Sequence, residues 1–192
     1  MSFSRPSQSM NTRILCLGNE LVRDDGVAIR VGRILSALPL PEDVRIEFTP
    51  HLGFDLLEAV QGAERLILVD AMHTGRPPGT CITLQDATIE RYAAGAAASH
   101  TVGIAELIEV AQRLAPDRNR ASIVFVGIEG QAFEEYGIEL TPAVRQAIPE
   151  AVTQVLRAIG ASEALLAQGA SACAQHLDPA LETILLGEPK RP

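Results

Sequence analysis

The chain is 192 residues long with 47% hydrophobic and 21% charged residues, enough apolar side chain for one globular domain with a real core. Its formal charge of -8, with aromatics at 4% and no Trp, argues against nucleic-acid backbones and stacked bases as partners. No apolar run reaches the ~18 residues of a membrane helix, and Cys16, Cys81 and Cys173 form no CxxC pair, which predicts a cytoplasmic protein with reduced thiols and no membrane insertion.

Residues 1–11 are Ser-rich and aperiodic, lack the apolar centre of a secretory signal, and read as a flexible leader. From Arg13 to Gly18 an almost unbroken apolar run predicts a strand buried on both faces. Val27, Ala28, Val31, Ile34, Leu35 and Leu38 then mark one face of a helix, stopped by Pro39 and Pro41. Val44–Thr49 alternates as a second strand, and Phe54, Leu56, Leu57 and Val60 predict a short helix ending near Gly62. Four aliphatics in Arg65–Asp70 predict the clearest strand of the chain, ending in a carboxylate.

After a turn at Gly75–Gly79, Thr80–Leu84 alternates again; the loop is too short for a helical crossover, so this strand is expected antiparallel. Ala93–Ala98 reads as a linker, and Ile104, Leu107, Ile108, Ala111 and Leu114 as a helix capped by Ser99 or Thr101. Ser122–Ile128 is a fifth strand. Thr141-Pro142 opens a last strong helix with a cap residue and a proline, and Pro149 inside it predicts a kink or restart. The domain is expected to span 12–160, with 161–192 a weakly structured or helical C-terminal appendage.

Strands alternating with helices predict an α/β fold, a mostly parallel sheet of about five strands with helices on both faces. Ligands of such sheets lie beyond the carboxyl ends of the parallel strands. No GxGxxG, GxxxxGK, GxSxG or HExxH is present, which disfavours nucleotide and serine-nucleophile chemistry. Polar residues at strand ends remain. Asp24-Asp25 precedes a helix and alone reads as its cap; Asp70 alone reads as an acceptor for turn amides; His100 alone reads as a surface histidine. Together, Asp25, Asp70 and His100 would meet at one sheet edge and offer an O/O/N ligand set for a divalent metal with open coordination positions. They stand 45 and 30 residues apart, so no local spacing motif supports the set. His51 and His73 also follow strands and stay open as ligands, whereas His176 lies in the appendage.

The stretch Ile14–Gly26, with Gly18-Asn19-Glu20-Leu21 leading to Asp24-Asp25, resembles the opening of the [NiFe]-hydrogenase maturation endopeptidases, in which GNxLxxDD or GNxLxxDE leads into a helix. Leu66–Ala71 with Pro78-Gly79-Thr80 resembles their second signature and Ser99–Gly103 their third, while Val126–Ile128 and Leu140–Pro142 resemble later landmarks. The likeness runs in order from about residue 13 to 159. It implies a three-layer αβα sandwich of the phosphorylase/hydrolase-like kind. The implied activity is an endopeptidase that removes the C-terminal extension of a hydrogenase large-subunit precursor after nickel insertion. The family's metal-contacting positions fall on Asp25, Asp70 and His100, with Asp25 and not Glu20 as the first. The implied metal is nickel presented by the precursor, with zinc or another divalent ion as alternatives, and the expected state is a monomer or weak oligomer. At Pro50–Gly53 the chain departs from the Gly-rich loop of the best-known members. Rival readings are a metallohydrolase acting on a small molecule and a non-catalytic nickel-sensing chaperone of the precursor.

Overall fold

The computed structural model describes residues 11–49, 63–85, 88 and 122–176. The leader, the predicted helices over 54–60 and 104–114, and the Ala93–Ala98 linker lie outside the described residues. Five strands are seen: β1 (Thr12–Leu17), β2 (Val44–Thr49), β3 (Arg65–Met72), β4 (Cys81–Gln85) and β5 (Ser122–Glu129). They form one sheet in the order β2-β1-β3-β5-β4. The pairs β1–β2, β1–β3 and β3–β5 are parallel, and β4 runs antiparallel to β5, as the short preceding loop predicts.

The described helices are α1 (Val27–Ser36), α2 (Pro142–Ala158) and α3 (Glu163–His176). They join Ile14, Cys16, Ile67, Val69, Val124 and Val126 in one apolar cluster on one face of the sheet. Alternate residues Leu15, Leu17, Leu66, Leu68, Ile123 and Phe125 point to the other face and are equally buried. Burial on both faces is what unbroken aliphatic runs specify, since every second side chain must also leave water. The result is a three-layer α/β arrangement. No described helix is long and apolar enough to cross a membrane.

Pro149 does not restart the last strong helix: α2 runs through it from Pro142 to Ala158. Its buried stripe, from Val144 through Leu156, is long enough to hold the helix on the sheet despite the missing amide. Beyond Gly160, α3 buries only Leu165, Gly169 and Cys173, a narrow line at every fourth residue. At Gly169 a side chain would strike Leu156 Cδ1 at 2.6 Å, so glycine sets the close approach of α3 to α2. The cysteines are free thiols, and burial pushes Cys16 up to about 12 and Cys81 and Cys173 up to about 11, so they stay protonated and inert at neutral pH.

Gly32 on α1 faces Cys16 Sγ and Phe48 Cε1, each 2.6 Å from where its Cβ would stand. Gly32→Val should lower the unfolding free energy by about 2 kcal/mol through overpacking. Urea denaturation read by circular dichroism measures this as a lower midpoint at unchanged slope.

Candidate active site at the β1/β3 switch point

The chain leaves β1 for β2 on one side and later enters β3 on the other, so the β1/β3 crevice is the switch point of the sheet. Pairing of β1 with β3 ends at Cys16↔Val69, whereas β3 stays paired with β5 through Asp70↔Gly127 and Met72↔Glu129. Asp70 is thus the first β3 residue beyond the reach of β1. The strand does not end in this carboxylate, as the sequence suggests; it continues two residues because β5 still offers a ladder. Asp70 is 6% exposed. Burial first, and the charge of Asp25 second, push its carboxyl well above the ordinary Asp range, opposed by a hydrogen bond from the Ala71 amide.

Asp25 reaches this point on a turn folded back over the end of β1. Gly18 makes the fold-back possible: its φ is +134°, and a Cβ there would collide with the Asp25 carbonyl. The Asn19 amide donates to Asp25 Oδ2 at 2.7 Å, and Asn19 Oδ1 accepts from the Leu21 amide at 3.0 Å. A short 3-10 turn, Arg23–Gly26, then leads into α1.

The capping role expected of Asp24-Asp25 is not what the pair does. The residue before α1 is Gly26, and no side chain caps that helix. Asp24 turns inward instead and is fully buried. Its Oδ1 accepts from the Thr141 amide at 2.7 Å; its Oδ2 accepts from the amides of Gln131 and Ala132 and from Thr141 Oγ1, at 3.0, 3.1 and 3.0 Å. Thr141 in turn does not cap α2 with its hydroxyl, because Asp24 has taken it. One local pattern, carboxylate before helix, admits both outcomes; a loop more than a hundred residues away decided between them.

Glu129, at the end of β5, went unnoticed in the sequence. It is 1% exposed. Its carboxylate accepts from the amides of Thr74, Gly75 and Arg76 at 2.6, 2.8 and 3.2 Å and from Thr74 Oγ1 at 2.7 Å. This is the turn-amide role the sequence offered to Asp70, performed by a neighbouring strand. A Glu closing an aliphatic run and followed by a single glycine, Gly130, is the signal the sequence offers. His73 follows β3 and stacks on Phe133 with ring centroids 5.4 Å apart. His176 ends α3, its Nδ1 3.1 Å from the Ala172 carbonyl. His51 and His100 lie outside the described residues. Among the described residues no three His, Cys, Asp or Glu side chains form a metal-sized group.

Two outcomes follow from this geometry. Asp24→Asn removes a charged acceptor from four donors, two of them buried on Thr141, and should destabilise the fold by about 3 kcal/mol, measurable by thermal or urea unfolding. For Asp70, the fold holds the proton to higher pH than the unfolded chain, so stability falls as pH rises from the ordinary value of 3.8 through the raised one. Metal-free Asp70→Asn should therefore melt higher than the parent at pH 7, with the gain shrinking to nothing below pH ~4; calorimetry across that range checks it.

Comparison with known proteins agrees with the resemblance read from the motifs. The model of the hydrogenase maturation protease family matches residues 50–158. A hydrogenase expression/formation protein, HupD of Rhodobacter capsulatus, is 31% identical over 170 residues, covering 88% of this chain and 80% of the relative. Protein FrxA of Pyrococcus furiosus is 30% identical over 145 residues, covering 73% of this chain and 98% of the relative. Among solved structures, the hydrogenase maturating endopeptidase HybD from E. coli superposes with a TM-score of 0.69 at 27% identity, covering 79% of this chain and 93% of that one. The [NiFe] hydrogenase maturation protease HybD from Thermococcus kodakarensis gives 0.66 at 27% identity, over 77% and 98% of the two chains. Motif order, sheet order and these matches converge: the chain belongs to the hydrogenase maturation protease family and is an endopeptidase of hydrogenase maturation.

Proposed function

We propose that the protein removes the C-terminal extension from the large-subunit precursor of a [NiFe]-hydrogenase once nickel is in place, and that Asp25, Asp70 and His100 contact that nickel. The observation that carries this reading is the buried Asp70 carboxyl under the influence of the Asp25 charge at the switch point. Two like charges in a site of low solvation are costly unless a cation joins them. Neither carboxylate is ion-paired with an Arg or Lys among the described residues. The single amide bond, from Asn19 to Asp25 Oδ2, leaves Asp25 Oδ1 able to accept an incoming divalent ion.

A nickel ion held by the precursor's own cysteines is such a cation, and it would arrive with the substrate. Docking on it aligns the adjoining peptide with the crevice, so cleavage reports that the metal is present. Carboxylates and imidazole are hard and borderline donors compatible with nickel or zinc. A carboxylate with raised proton affinity is also a competent base for the attacking water. Either route, ion or aspartate, generates the nucleophile at this one place.

The test is cleavage of purified precursor, with and without nickel, followed by intact mass. Nickel-loaded precursor should lose its extension and nickel-free precursor should not. Asp25→Asn and His100→Ala should each slow cleavage about a hundredfold or more while melting as cooperatively as the parent. Equal processing of nickel-free precursor, or normal rates in both variants, refutes the reading. A stable complex without cleavage would point instead to a chaperone.

A further inference from the structure

The large hydrophobic side chains left exposed among the described residues are Leu21 (58%), Phe48 (47%), Tyr136 (90%) and Ile138 (42%). They are not scattered. Leu21 stands on the turn that carries Asp25, and Tyr136 and Ile138 flank Gly137, which is bonded to that turn in both directions. The Gly137 amide donates to the Leu21 carbonyl at 2.9 Å, and the Arg23 amide donates to the Gly137 carbonyl at 2.7 Å. Phe48 lies on the other side of the same turn, lining a cleft of about 490 Å³ with Gly18, Asn19, Glu20, Ile29 and Arg33.

We propose that the rim formed by Leu21, Tyr136 and Ile138 is the docking surface for the protein substrate, and that it takes an apolar segment flanked by basic residues. The inference rests on the reading that this site cleaves a protein precursor. Large apolar groups on a frame tied by backbone hydrogen bonds lose little entropy on binding, which is the pattern of interface anchors. The rim is bordered by the exposed carboxylates of Glu134, Glu135 and Glu139. Arg23 pairs with Glu135, which leaves Glu134 and Glu139 as the border carboxylates without an ion pair among the described residues, and Arg30 donates to the Ile138 carbonyl. An apolar centre inside an acidic border fits Lys or Arg beside an apolar anchor. A second copy of this chain fits poorly. A two-fold contact would set the same glutamates, Glu134 and Glu139, against one another.

Two double variants test the surface. Tyr136→Ser/Ile138→Ser removes the anchors, and Glu134→Lys/Glu139→Lys reverses the border; all four positions are exposed, and melting curves confirm the fold. With nickel-loaded precursor, the first should raise KM about tenfold at unchanged kcat. The second should raise KM and weaken its salt dependence. Parent-like KM in both variants, with the parent cleaving normally, overturns the docking surface and leaves the functional reading standing. If the parent does not cleave, the functional reading falls, and titration of precursor binding decides the surface: lost affinity in both variants supports it, retained affinity overturns it. Sedimentation showing a parent dimer that the serine variant converts to monomer also overturns it.

Discussion

Asp24 is a carboxylate with no exposure to solvent, and its two oxygens take four hydrogen bonds from three residues of the segment that follows β5. Burying the charge without them would be costly; with them, it becomes a clamp. The clamp ties the end of β1 to the start of α2, across more than a hundred residues of chain. The direction in which Asp25 faces follows from it, because the next residue of a short 3-10 turn has little freedom once its neighbour is bound. So does the rim: Arg23, at φ +38°, is held in an uncommon backbone conformation by its bond to Gly137.

The carboxylates at this end of the sheet divide by how many donors each one holds. Asp24 and Glu129 are saturated with donors, and each fastens a loop to a strand end. Asp70 and the partly exposed Asp25 have fewer donors, are close enough for one charge to act on the other, and stand where the strand order reverses. Polar groups in folded proteins are normally paired, and Asp70, buried beside the charge of Asp25, is the carboxyl here whose proton affinity is raised. Ionised Asp70 opposes stability, whereas Asp24 contributes to it. The same residue type serves both ends because its environment, and not its identity, sets its role.

Much of the architecture was legible from periodicity. The aliphatic runs of β1, β3 and β5 could only be strands buried on both faces, and the stripe from Val27 to Leu35 could only be one face of a helix. The antiparallel β4 followed from a connection too short to cross over. Less was legible at α3, whose buried line of Leu165, Gly169 and Cys173 is too thin and too small in volume to stand out among alanines and glutamines. Pro149 suggested a kink or restart; no restart occurs, because the wide stripe of α2 outweighs one missing hydrogen bond.

The sequence by itself determined the fold class, the family, and the candidate trio Asp25, Asp70 and His100, because hydrophobic period and ordered signatures are local properties of the chain. Tertiary structure alone decided that Asp24 is a clamp and not a helix cap, that Glu129 and not Asp70 holds the turn amides, and that Leu21, Tyr136 and Ile138 share one rim. Those outcomes depend on donors and neighbours brought from distant parts of the chain. A carboxylate cannot announce its partners before folding delivers them.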